Sequence, residues 1–88
     1  MLTVRVFVAD PQMLEGHDAA AVKRVEAVAS RFAGQVEACV IGLDDDEALD
    51  LGAAVSPTIM VGDTVISVGE PPLAGQIKRF IEMELEGS

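Results

Sequence analysis

Val55-Ser56-Pro57-Thr58-Ile59-Met60-Val61-Gly62-Asp63-Thr64-Val65-Ile66-Ser67-Val68-Gly69 constrains the architecture more than any other part of the chain. Two runs rich in β-branched residues, 58–61 and 64–68, flank the pair Gly62-Asp63. A two-residue connection of this kind forces an antiparallel hairpin, because Gly and Asp tolerate the positive φ that such turns require. The hairpin therefore comes late in the chain, and what precedes it must supply the rest of the sheet.

Upstream, Leu2-Thr3-Val4-Arg5-Val6-Phe7-Val8 alternates only partly, as suits a strand buried on both faces. It stops at Ala9-Asp10-Pro11, since Pro cannot continue a ladder and pushes the residue before it toward extended backbone. From Asp18 to about Ala33 the spacing predicts a helix, with Ala21, Val25, Val28, Ala29 and Phe32 on one face. Asp18 is its expected N-cap and Gly34 its stop, while Lys23, Arg24 and Arg31 lie off the apolar face. Val36–Ile41 reads as a second strand. Asp44 then opens a short helix through about Leu51, with Glu47 completing a capping-box pair and Gly52 ending it. After the hairpin, Pro71-Pro72 mark the start of a last helix, whose stripe is Leu73, Ile77, Phe80, Ile81 and Leu85.

The element order is β-α-β-α-β-β-α. A β-α-β unit implies parallel strands and a right-handed crossover, the hairpin adds antiparallel strands, and helices must cover both faces. The expected architecture is a three-layer α/β domain, residues 1–88, around a four-stranded mixed sheet.

Composition narrows the function. The chain of 88 residues has 15 acidic and 6 basic side chains, a net charge of −9 and a single cysteine, Cys39. Nucleic acid and anionic membrane surfaces repel such a chain. No run approaches the ~20 apolar residues of a membrane span, and polar residues punctuate the start from Thr3 onward, unlike a signal peptide. A soluble, cytoplasmic protein is expected. One cysteine rules out an internal disulfide, a Cys-x-x-Cys pair and multi-thiolate metal sites.

The segment Gly52–Gly69 resembles the thioredoxin and glutaredoxin pattern of Gly-Val, a spaced Pro-Thr, a hydrophobic run, and glycines before and after a second apolar strand. It is most similar to the small glutaredoxin-like, archaeal-type thioredoxins. The resemblance implies a thioredoxin-like fold, a cis bond before Pro57 facing the active site, and backbone hydrogen bonds from Ser56 to an extended substrate peptide. It also places a Cys-x-x-Cys pair between the first strand and first helix. Here that position is filled either by Asp10-Pro11-Gln12-Met13, which keeps the proline, or by Glu15-Gly16-His17-Asp18. Neither contains a thiol. Disulfide exchange needs one thiolate to attack and a second thiol to resolve the mixed disulfide, so the dithiol reaction is absent from this chain.

The remaining candidates carry weak signals. Cys39, between Ala38 and Val40, reads as an inert core thiol or, alternatively, a reactive one; the family's matching strand is central and remote from the helix start. His17 is an exposed side chain near a cap unless Asp10, Glu15 or Asp18 joins it around an adventitious metal. Asp44-Asp45-Asp46-Glu47 lacks the alternating loop that wraps calcium and reads as a solvated helix start. Ser30, Ser56 and Ser67 have no nucleophile elbow, and the glycines form no phosphate loop.

The expectation is a redox-inactive module that binds a protein, a peptide or a small ligand in a groove formed by Asp10, Pro11, Gln12, Met13, Val55, Ser56 and Pro57. Asp10 would bring negative charge to the helix start, Pro11 rigidity, Met13 an adaptable apolar contact, and Ser56 backbone pairing. No catalytic residue, metal ligand or cofactor is expected. The alternative is a thiol–disulfide oxidoreductase or electron-transfer protein acting through Cys39 or a partner's thiol. A third reading is structural association through a sheet edge or the acidic face, and the oligomeric state stays open.

Overall fold

Strand β1 (Leu2–Val8) is the piece that the other elements are built around in the computed structural model, which describes residues 1–87. Ser88 lies outside the described residues. Helix α1 (Gly16–Ala29) and a 3₁₀ turn (Ser30–Phe32) lead to β2 (Val36–Gly42) and helix α2 (Asp46–Leu51). The hairpin β3 (Thr58–Val61) and β4 (Thr64–Val68) follows, then helix α3 (Ala74–Glu86). The sheet order is β2-β1-β3-β4, with β1 parallel to β2 and antiparallel to β3, and β4 antiparallel to β3.

Alternation along β1 divides the core in two. Val4, Val6 and Val8 meet Ile59 and Val61 of β3, Ala21, Val25 and Val28 of α1, and Ile77 and Ile81 of α3. Phe7 faces the other way, with Met60 and Ala48 of α2, edged by the half-buried Ile41, Leu43 and Ala53. Two long helices thus cover one face and a single short helix the other, giving the expected three layers. Among the described residues no helix is long and apolar enough to cross a membrane.

Several boundaries move for physical reasons. Helix α1 begins earlier than the apolar spacing suggested, with Glu15 as N-cap in extended backbone. Asp18 is therefore inside the first turn, and its Oδ2 accepts a hydrogen bond from the Ala9 N–H at 3.0 Å. The α-helical bonding ends at Ala29, and the last apolar residue of the face, Phe32, sits in the 3₁₀ turn. Gly34, with φ +87°, serves the turn into β2. Asp45, not Asp44, caps α2, accepting from the Glu47 N–H at 2.9 Å. The Glu47 side chain is not part of a capping box; its Oε2 pairs with Arg5 Nε at 3.1 Å.

In the hairpin turn only Gly62 takes a positive φ, +60°. A bulge falls between Ile59 and Met60, which pair with Ser67 and Val65 and leave Ile66 extra on β4. In α3 the stripe narrows to Ile77 and Ile81, with Phe80 and Leu85 half-buried, while Leu73 is the N-cap and 70% exposed. The two prolines precede the helix, and their carbonyls accept hydrogen bonds from Arg24 Nη1. Strand β2 is a sheet edge, so Cys39 is half-buried on an outer strand and not on a central one.

Candidate functional site

The register brings the two halves of the expected groove to one end of the sheet. Val8, the last residue of β1, pairs with Gly42, the last of β2. Thr58, the first of β3, pairs with Phe7 on one side and with Val68, the last of β4, on the other. The segments 9–15, 43–45, 55–57 and 69–73 therefore all leave the sheet at the same end. That Asp10–Met13 and Val55–Pro57 leave the sheet at the same end is a consequence of antiparallel β1–β3 pairing, which joins residues far apart in the chain.

Asp10–Met13 forms a tight turn. The Met13 N–H donates to the Asp10 carbonyl at 3.1 Å, and the Gln12 N–H to Asp10 Oδ1 at 2.9 Å. The Asp10 carboxylate thus holds its own turn, a local bond that short polar side chains favour. All four residues are exposed. Pro11 leans on the end of β2, where a Cβ on Gly42 would stand 3.1 Å from its Cδ.

The turn is followed by the helix start. Between the two placements for the family's cysteine pair, Glu15–Asp18 is the one that opens α1, with Asp18 and Ala19 N–H donating to the Glu15 carbonyl. Gly16 takes φ +55°, letting the chain turn into the helix. Negative charge at the positive end of the helix dipole comes from Glu15 and Asp18, the role expected of Asp10. Asp10 sits upstream, in the turn. His17 is exposed, and Asp18 is committed to Ala9. Among the described residues no three His, Cys, Asp or Glu side chains converge as a metal would need.

On the facing loop, Pro57 is fully buried, Ser56 half-buried and Val55 exposed. The Ser56–Pro57 peptide is cis. The Gly69 N–H donates to the Pro57 carbonyl at 2.7 Å, and Thr58 Oγ1 donates to the Val55 carbonyl at 2.5 Å. These two bonds fix both sides of Ser56. Gly69 takes φ +83°, the left-handed backbone that places its N–H on the Pro57 carbonyl.

Cys39 is not at this end. Its register partner is Arg5, so it points to the face that carries α2, three residues before the end of β2. The Arg5 guanidinium there is engaged by Glu47 and by the Gly62 carbonyl, the latter at 3.3 Å from Nη1.

On the α2 face, a cleft of about 180 Å³ opens beside β4, lined among others by Leu51, Ala54, Val55, Met60, Val65 and Val68. Simple alternation puts Val65 and Val68 on opposite faces. The bulge at Ile66 brings them to the same one, because Val65 pairs with Met60 and Val68 with Thr58, two residues apart on β3. A strand-length sequence pattern carries no signal for that extra residue.

No family model and no curated protein matches the chain. Among solved structures it is similar to a crystal structure of chloroplastic thioredoxin z, with 21% identity and a TM-score of 0.71, covering 99% of this chain and 80% of that one. It is also similar to a Staphylococcus aureus protein of unknown function, with 18% identity and a TM-score of 0.63, covering 99% of this chain and 94% of that one. The fold is thioredoxin-like.

Proposed function

We propose that this thioredoxin-like chain is a binding module without dithiol chemistry, holding a protein or peptide partner at the sheet end between Asp10–Met13 and Val55-Ser56-Pro57. The observation that carries the reading is the state of the two facing loops. The Val55–Pro57 loop is held from both sides, by Gly69 N–H and by Thr58 Oγ1, while the facing helix start carries Glu15, Gly16, His17 and Asp18. A rigid loop with a half-buried serine offers backbone groups to an extended segment without an ordering cost at binding. A carboxylate at a helix start keeps the favourable charge of a thiolate but has no sulfur to exchange.

Within this reading Ser56 supplies backbone pairing, Val55 an apolar contact beside it, and Met13 an adaptable apolar contact from the opposite turn. Chloroplastic thioredoxin z is described by a type-specific target recognition. The proposal assigns this chain recognition too, separated from redox exchange.

The test is a comparison of wild type with Ser56→Pro, which removes the Ser56 N–H. A species retained from native lysate by the wild type and lost with the variant is the expected result. In parallel, the wild type should not accelerate reduction of insulin by dithiothreitol. Acceleration that disappears in Cys39→Ala would overturn the proposal in favour of thiol chemistry.

A further inference from the structure

The α2 face presents a second apolar surface, outside the turn 10–13 and the helix start. The cleft beside β4 is lined by side chains that a folded chain ordinarily hides: Leu51 is 44% exposed, Val55 48%, Val65 50% and Val68 57%. Its floor is the buried Met60 and Thr58. The left-handed Gly52 and the Ala53 N–H bond to the Ala48 carbonyl at 2.9 Å fold the chain back to make its wall. A cleft of about 180 Å³ is comparable with the ~150 Å³ that accommodates a benzene-sized apolar group. Four half-exposed aliphatic side chains gathered around one concavity, rather than scattered singly, form a surface that an apolar group can cover.

Charge selects the occupant. From Phe32 to Ile77, the stretch that forms β2, α2, β3 and β4, there is no Lys or Arg, and Asp44, Asp45, Asp46, Glu47, Asp50 and Glu70 lie within it. Arg5 is the one cation that β1 adds to this face, and it is already engaged by Glu47 and the Gly62 carbonyl. Asp50 directly precedes the lining residue Leu51 and Glu70 stands two residues after Val68, and a second copy of a chain with net charge −9 is repelled as a whole. A partner with Lys or Arg on either side of an apolar residue meets opposite charge and fills the cavity at once.

We infer that the cleft lined by Leu51, Val55, Met60, Val65 and Val68 seats the apolar side chain of a cationic, extended peptide segment. The cleft shares Val55 with the sheet-end groove, but Ser56 and the turn 10–13 take no part in it. Failure of Ser56→Pro to alter partner capture leaves the inference standing, and the titration below addresses the cleft alone.

The probes are three capped pentapeptides, KRLKR, KRSKR and EDLDE, titrated into ¹⁵N-labelled wild-type protein and followed by amide chemical shifts. KRLKR should move the amides of 51–55 and 65–68, and raising salt from ~20 to ~200 mM should weaken it. Loss of the leucine in KRSKR should weaken binding at least ~10-fold, the equivalent of one buried aliphatic side chain. Val68→Lys places charge in the cleft at a half-exposed position and should abolish the KRLKR shifts while the rest of the spectrum is retained; Val65→Lys is the second variant should that spectrum change throughout. Equal binding of KRSKR, equal binding of EDLDE, or shifts outside the cleft would overturn the inference. So would a dimer in sedimentation that Val68→Lys dissociates, since the occupant would then be a second copy.

Discussion

Replacing Phe7 by Ala removes the largest fully buried side chain, and with it most of the smaller core. Phe→Ala changes in cores cost ~3–5 kcal/mol, the transfer term plus the cavity left behind. The low end applies here, ~3 kcal/mol, because Ile41, Leu43 and Ala53 around the ring are only partly buried and free to close in. A domain of 88 residues has a total stability of ~4–13 kcal/mol at ~0.05–0.15 kcal/mol per residue. The variant should therefore fold, with Tm lowered by ~12–24 °C at ~4–8 °C per kcal/mol. Damage should be local as well. Helix α2 has 6 residues, far below the ~12–15 at which an isolated helix becomes even marginal. Its one buried anchor is Ala48, seated on Phe7 and Met60. Thermal melts by circular dichroism give the first quantity, and amide hydrogen exchange of residues 49–53 against those of α1 gives the second. A Tm loss under ~4 °C, or α2 amides still protected while α1 loses protection, would refute the two-core account. Phe7→Leu, which keeps part of the volume, should fall between wild type and Phe7→Ala on both measures.

Three further changes probe the elements that hold the site. Asp45→Ala should cost ~0.5–2 kcal/mol in urea unfolding through loss of the bond to the Glu47 N–H, and Asp44→Ala much less, since Asp45 is the cap. Arg24→Met keeps the aliphatic stem but removes the bonds to the Pro71 and Pro72 carbonyls; a loss of ~1–2 kcal/mol is expected, with amide shifts concentrated at 69–74. Cys39, half-buried on β2, should react with Ellman's reagent more slowly in native protein than in denaturant, and equal rates would contradict its placement.

Much of the architecture follows from residue pattern. The strands Leu2–Val8, Thr58–Val61 and Thr64–Val68 coincide with the β-branched runs between turn residues, which allow little else. Helix starts are less legible. Short polar side chains compete for the same donors, so Asp18 and Asp45 each found the nearest free N–H, Ala9 for one and Glu47 for the other. Local pattern also assigned Leu73 to the apolar stripe of α3, where the real N-terminus leaves it in solvent. The sequence names both loops of the proposed groove and carries no thiol in either, but leaves open which tetrapeptide opens α1.

Element order, acidic character and the lack of a second thiol follow from the residues alone, because they rest on residue identity and spacing along the chain. That Glu15–Asp18 begins the helix, that β2 and Cys39 lie at a sheet edge, and that Val65 and Val68 share one face emerges only in the folded chain. The cap at Glu15 sets the first, the strand order the second, and one extra residue at Ile66 in the β3–β4 register the third. Register is set by which side chains pack against the helices above and below, a balance of distant contacts that no short stretch of sequence contains.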